Sequence, residues 1–446
     1  MASKRSRGRK TKRRPNVIKV GRDARGHPQD NSNKDGDYPY LPGTLLKVDF
    51  CPEPLPGGGD LGPQAGAAAK VSTLTLAVIK TLSRTLSCVL LVSLSGQDIK
   101  AITSTSSSKI NLEESKQELK AVLKLYDRRF SNGIREDYDA TPWTPDIEEE
   151  WMTFEALDED EKPEVCVDEE ENNSWSYGSD ANSSKTTNWT ENTNGRKRIL
   201  PSAWTPGHRE AYMQKICDKT FDAEVSVYRH LQTLQGKMIP LVFGTVTLPT
   251  GVGDSKGKNK AKVVSGMLME YIQPSFSLRG IPENVSDKSL WQDLGEMAVA
   301  LVQDVGDYGV LDEDVRLDNI LMVPVKDGYY SQKLGVEGED EFGDNNERPG
   351  GLDGDKDSSM KSAGGRDLKF YRAVRIDFGL ARVRRDDETD EDWRKARRFR
   401  DEEGAVGFVL EMHLRKAANA NGDDRPFKFR HSHRLQSIED LDEADI

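Results

Sequence analysis

Two long stretches of this chain are too polar to fold alone, so any domain must be assembled from the apolar pieces on either side of them. From about Ser131 to Pro206 the chain is acidic and then rich in Ser, Asn and Thr (DEDEKPEVCVDEEENNSWSYGSDANSSKTTNWTENTNG), and roughly Gly328–Asp367 is rich in Gly, Asp and Glu. Such compositions bury too little apolar surface to offset the entropy of ordering. With 446 residues, 31% of them charged and 35% apolar, the chain suits one folded domain carrying insertions.

The charge is segregated. A net charge of -12 argues against a protein that coats nucleic acid throughout, yet the first residues, MASKRSRGRKTKRR, are densely basic. That run reads as a solvated tail, a nuclear localisation signal or an arm that touches nucleic acid. Residues 1–70 end in CPEPLPGGGDLGPQAGAAAK, which holds no credible element, so order is expected to begin near Val71. Cys51, Cys88, Cys166 and Cys217 are scattered without a C-x-x-C pair, which points away from a disulfide framework or a zinc site. No apolar h-region follows the basic start and no run of eighteen apolar residues occurs. The expectation is an intracellular protein, nuclear or cytoplasmic, with no membrane contact.

Periodicity places the elements. LTLAVIKTL and SCVLLVSL read as strands joined by the turn Ser83-Arg84-Thr85, and Leu119–Tyr126 as a third strand of a meander. Phe221, Val225, Tyr228 and Leu231 recur at helical spacing, and IPLVF and Val263–Ile272 are strand-like. Leu290, Leu294, Met297, Ala298, Leu301 and Val305 form the apolar stripe of a core helix from about Ser289 to Asp307. Asn319–Val325 and Ala373–Asp377 read as short strands, Glu391–Lys416 as one helix, and 417–446 as a polar tail.

The chemistry lies in LDEDVRLDNILMV and, later, RIDFGLAR. In the first, Asp314 and Asn319 are five residues apart; in the second, Asp377 opens a D-F-G triplet. A helix cap and an ordinary turn offer the plain reading of either fragment alone. Together they supply what phosphoryl transfer needs: oxygen ligands for a hard cation, and one carboxylate near the attacking hydroxyl. The order of the remaining parts favours that reading. GMLMEYI closes about forty residues before Asp314 with a core helix between, and DAEVSVYRHL places Glu224 on a helix after the strand that carries Lys124.

These motifs resemble the protein-kinase superfamily, and LKLYDRRF, LQGKMIP and DEDVRLDNIL look like its diverged members common in fungi. The resemblance runs from about Val71 to Lys416 and implies an α+β, bilobal protein-kinase-like fold. Its β-rich N-lobe and hinge would span 71–272 and its shortened helical C-lobe 273–416. It further implies ATP and Mg²⁺ as cofactors: Lys124, paired with Glu224, on the phosphates; Glu270, Tyr271 and Ile272 as the hinge beside adenine; Asn319 and Asp377 on the metal. Asp314 would orient the acceptor, and Arg316 would screen it and touch the transferred phosphate. GGGDLG (Gly57, Gly59, Gly62) and Lys80 offer a rival phosphate loop and lysine, but three prolines in CPEPLP leave no paired strand before that loop, so Lys124 is preferred.

Three departures stand out. The turn in KTLSRTLSC has no glycine, leaving Ser83, Thr85 and Ser87 as hydroxyl donors. Asp312 replaces the first residue of the usual triplet, crowding negative charge around Asp314 together with Glu313. No A-P-E follows Gly379, and fewer than seventy residues remain after the triplet. The expected function is an ATP-dependent phosphotransferase acting on Ser or Thr of a protein substrate. Two alternatives stay open, a pseudokinase scaffold with a nucleotide pocket and a small-molecule kinase. His431 and His433 read as solvated.

Overall fold

The computed structural model describes residues 38–52, 71–104, 118–158, 162–165, 189–191, 197–199, 201–250, 263–325, 370–419 and 425–432. The basic N-terminal run, GGGDLG, the whole of the expected insertion at 328–367 and less than half of that at 131–206 lie outside these residues. The described chain is mixed α and β. Its strands are β1 (Leu45–Pro52), β2 (Ser72–Arg84), β3 (Cys88–Ser95), β4 (Glu118–Leu125), β5 (Glu164–Val165), β6 (Trp189–Glu191), β7 (Lys197–Ile199), β8 (Val242–Pro249), β9 (Val263–Glu270), β10 (Phe276–Ser277), β11 (Val310–Asp312), β12 (Ile320–Val325), β13 (Phe370–Arg375) and β14 (Ala381–Val383). Its helices are α1 (Gly96–Ser104), α2 (Asn132–Asp137), α3 (Pro145–Glu155), α4 (Pro206–His230), α5 (Ile281–Asn284), α6 (Trp291–Asp307), α7 (Asp390–Arg400) and α8 (Glu402–Ala417). None is long and apolar enough to cross a membrane.

The chain divides into two compact units. One comprises residues 1–45, 78–90 and 126–217; the other comprises 46–77, 91–125 and 218–446. In strand order, β1-β2-β3-β4-β9-β8 close a barrel, which removes unpaired edges. The expectation of a structureless 1–70 fails at β1. Leu46, Val48 and Phe50 alternate inward along LLKVDFCP, and the strand pairs antiparallel with β8, Phe50 opposite Val246. The prolines that argued against a strand here begin only at its last residue.

The first unit corrects the reading of 131–206 as an unfolded insertion. Thr144 caps α3 by accepting from the Ile147 N–H, Pro145 opens the helix, and Trp151 and Phe154 are buried. Phe154 joins Val165, Trp204 and Tyr212 in a small core. Tyr38, Tyr40 and Phe130 meet edge to face with centroids 5.3–5.9 Å apart.

In the second unit, α6 buries Trp291, Leu294, Ala298, Leu301, Val302 and Val305 against Val406, Leu410 and Leu414 of α8 and Ile320 and Met322 of β12. Each Val, Leu, Ile or Met side chain among them contributes about 1.5–3 kcal/mol by leaving water. β12 pairs antiparallel with β13, Ile320 opposite Arg375. The single helix expected over Glu391–Lys416 is broken at Asp401, whose left-handed backbone (φ 45°) ends α7 while its carboxylate accepts from the Gly404 N–H and caps α8. The tail also departs from its polar reading. Phe427 and Phe429 are buried, and a methyl group added at Gly295 or Gly407 would fall 2.4 or 2.1 Å from their rings. Two helix glycines therefore seat the tail.

Candidate active site

β4 turns Ala121 and Leu123 inward and buries its last three residues, Leu123, Lys124 and Leu125, in succession, which leaves Lys124 6% exposed. A buried ammonium needs partners. α4 brings the first: Thr220, Glu224, Tyr228 and Leu231 repeat at helical spacing, and the fully buried Glu224 accepts from Lys124 Nζ at 2.5 Å. The second comes from the D-F-G triplet, where Asp377 Oδ1 lies 2.7 Å from the same nitrogen. Burial alone would lower the Lys124 pKa; the Asp377 and Glu224 carboxylates outweigh it and push it up, so the lysine stays charged.

The backbone of Asp377 is left-handed (φ 66°), a conformation that costs a non-glycine residue about 1 kcal/mol or more. Its neighbours hold it there. The Phe378 N–H donates to Glu224 Oε1 at 3.3 Å, and the buried Phe378 ring meets Tyr228 edge-on at 5.3 Å. Gly379 is required by approach rather than by φ, since a Cβ there would lie 2.6 Å from Thr220 Cγ2 on α4. Burial would raise the Asp377 carboxyl, but the Lys124 charge, its hydrogen bond and the Gly379 N–H hold it below the usual carboxylate range. The result is an ionised carboxylate whose side chain is 37% exposed.

The Asp314–Asn319 loop is tied to this turn through the backbone, the Ile376 N–H donating to the Asn319 carbonyl at 2.9 Å. Asn319 Nδ2 donates to the Asp314 carbonyl at 3.1 Å, which orients Oδ1 of the amide as its remaining acceptor. Asp314 forms an ion pair with Arg316, whose side chain is about half exposed. Burial raises the Asp314 pKa, with Asp312 and Asp377 adding to the rise and Arg316 opposing it. Asp312 does not simply crowd the loop with charge, as expected from the sequence. It is buried and paired at 2.6 Å with Arg375, also buried.

The remaining candidates sit apart from the ion cluster or do other work. Glu270 ends β9, where its N–H donates to the Leu241 carbonyl at 2.8 Å and its Oε2 accepts from the Leu241 N–H at 3.2 Å. Tyr271 bonds Gln273 through its hydroxyl, and Ile272 packs with Val323 and Val374. Lys80 is exposed on β2. The turn after β2 belongs to the first unit, where the Thr85 carbonyl accepts from the Gly133 N–H at 3.1 Å and Ser87 is buried.

Sequence reasoning read Tyr228 only as part of a helical stripe and passed over Thr220, Arg375 and Glu402. The helical repeat of α4 was the available signal for the first two; nothing local marks the others.

The donor set suits a hard divalent cation of the Mg²⁺ kind. It offers one ionised carboxylate and one amide oxygen, and such a cation takes its other ligands from water and phosphate. No group of three or more His, Cys, Asp or Glu at metal-binding distance occurs among the described residues. Neither the protein-family models nor the curated proteins give a match. Among solved structures, WaaP in complex with acyl carrier protein matches at 15% identity and a TM-score of 0.24, over 45% of this chain and 66% of that one. A likeness of that size carries no weight for fold or chemistry; the residues do.

Proposed function

We propose that the second unit carries a protein-kinase-like phosphotransferase site. One observation carries the reading: Lys124 bridges Glu224 and Asp377, bringing β4, α4 and the D-F-G turn to one charged point. A lysine kept protonated in this way grips phosphate oxygens, and its fixed position needs no reorganisation when charge develops.

In this reading Asp377 and Asn319 would hold Mg²⁺, which would supply positive charge against phosphate oxygens. Asp314 accepts the proton of the incoming hydroxyl, a task for which its raised pKa is suited. Arg316 keeps Asp314 oriented and, being half exposed, can swing to the transferred phosphoryl group. The backbone at Glu270–Ile272 takes adenine. The acceptor is Ser or Thr of a protein.

The test is transfer of label from γ-labelled ATP and Mg²⁺ to Ser/Thr-rich proteins, beside a panel of hydroxylated metabolites, with Asp314→Asn as control. Label on protein that disappears in Asp314→Asn supports the reading; label on a metabolite replaces the acceptor class. A scaffold that binds nucleotide without turnover is favoured by one feature, the turn Ser83-Arg84-Thr85, which has no glycine. ATP binding with no label transferred anywhere would select it.

A further inference from the structure

Two residues before Asp377 and two before Asp314, a second ion cluster lies wholly inside the second unit. Arg375 Nη2 donates to Asp312 Oδ2 at 2.6 Å and to Glu402 Oε1 at 3.3 Å. Glu402 Oε1 also accepts from the Asp312 N–H at 3.0 Å, and the other Asp312 oxygen, Oδ1, accepts from the Asp314 N–H at 2.9 Å. Arg375, Asp312 and Glu402 are 1%, 2% and 6% exposed. Their three elements are β13, which leads into Asp377; β11, which leads into Asp314; and the first turn of α8. Arg375 Nη1 is buried without a hydrogen-bond partner, so this guanidinium is held by its two carboxylates and by the Phe378 ring 5.4 Å away. A buried arginine with an unmet donor is a costly device for stability alone, since apolar residues of similar volume often serve that purpose as well or better.

We propose that Asp312, Arg375 and Glu402 are positioning residues that hold the backbone of Asp314 at a fixed distance from Asp377. The inference rests on the phosphotransferase reading above. Asp312 is the hinge of the arrangement: one carboxylate oxygen grips the strand before Asp377 through Arg375, and the other grips the Asp314 amide. Glu402 locks the pair to α8 from behind. None of the three touches substrate, so their effect falls on turnover rather than on nucleotide affinity.

The test uses the full chain and three variants: Asp312→Ala, Asp312→Asn and the double variant Asp312→Ala/Arg375→Met. Asp312→Ala is expected to lower kcat by about 100-fold with the KM for ATP unchanged, as for a displacement of about 1 Å in a reacting group. Amides of residues 312–319 should lose hydrogen-exchange protection. Asp312→Asn keeps an oxygen acceptor for the Asp314 N–H and should retain most of that protection. The double variant removes the orphaned arginine, so its Tm should return towards wild type while kcat and amide protection stay low. Recovery of kcat together with Tm in the double variant, or unchanged protection in Asp312→Ala, would overturn the proposal. If wild type transfers phosphate to nothing, the phosphotransferase reading fails, and amide protection alone then decides for or against the positioning cluster.

Discussion

The Arg128 cluster of the first unit and the Lys124 cluster of the second differ in charge balance and in access. In the first unit, Arg128 pairs with Glu148 at 2.7 Å and with Glu210, and Arg135 pairs with Glu210 at 2.9 Å. Two cations meet two anions, every side chain is at most 7% exposed, and the Arg128 guanidinium lies 3.7 Å from the Trp151 ring centre. In the second unit one cation, Lys124, meets two anions, and Asp377 stands 37% exposed on a left-handed backbone. A closed, neutral cluster has no further ligand to take. An open cluster with an excess carboxylate has room for a cation. Buried charge therefore marks structure in one place and a candidate site in the other, and the distinction lies in a carboxylate that is both uncompensated and exposed.

The largest effect should come from breaking the closed cluster. Glu210→Gln leaves two buried guanidiniums short of a carboxylate and should lower stability by about 3–5 kcal/mol in urea unfolding, with Mg·ATP affinity unchanged in the folded fraction. A loss below about 1 kcal/mol would show that the arginines find water. Gly379→Ala comes next: its methyl group would press on Thr220, and a shift of α4 should lower stability by about 1–3 kcal/mol and weaken Mg·ATP binding as Glu224 moves. Full affinity in that variant would detach α4 from the site.

Asp377→Gly sharpens the comparison because its expected effect has the other character. Glycine accepts a φ of 66° without strain, and Lys124 keeps Glu224, so stability should hold within about 1 kcal/mol while Mg²⁺-dependent binding is lost. A destabilisation as large as that of Glu210→Gln would make the Lys124 cluster structural. The smallest effect concerns pH. Asp314 must be ionised to accept a proton, its pKa is raised mainly by burial, and Arg316 opposes the rise. Removing that opposition in Arg316→Met raises the pKa further, so the acid limb of the kcat profile should move to higher pH. A limb that moves to lower pH, or stays in place, would exclude Asp314 as the base.

What the sequence showed depended on whether a signal was local. β2 to β4, the α6 stripe and the β12 and β13 runs are legible because burial imposes a period on consecutive residues. β1 carries the same alternation but is followed at once by a Pro- and Gly-rich stretch that hid it. α3 has a cap, a proline at its start and two aromatics, all visible in TPWTPDIEEEWMTF, yet its acidic composition submerged them. At the candidate site, Lys124, Glu224 and Asp377 were singled out from separate motifs, and the fold brings them into contact across 100 and 253 residues. Arg375 and Glu402 escaped because an arginine in a strand and a glutamate at a helix start are ordinary locally. Only the pairing of β12 with β13 and the placement of α8 give them a shared partner.

The most direct test is calorimetric titration of Mg·ATP into the full chain, which is needed because β1 and residues 425–432 belong to the fold. The account predicts saturable binding that is abolished in Asp377→Ala and in Lys124→Ala and retained in Lys80→Ala. Binding lost in Lys80→Ala but kept in Lys124→Ala, or no binding by folded wild-type protein, would contradict it.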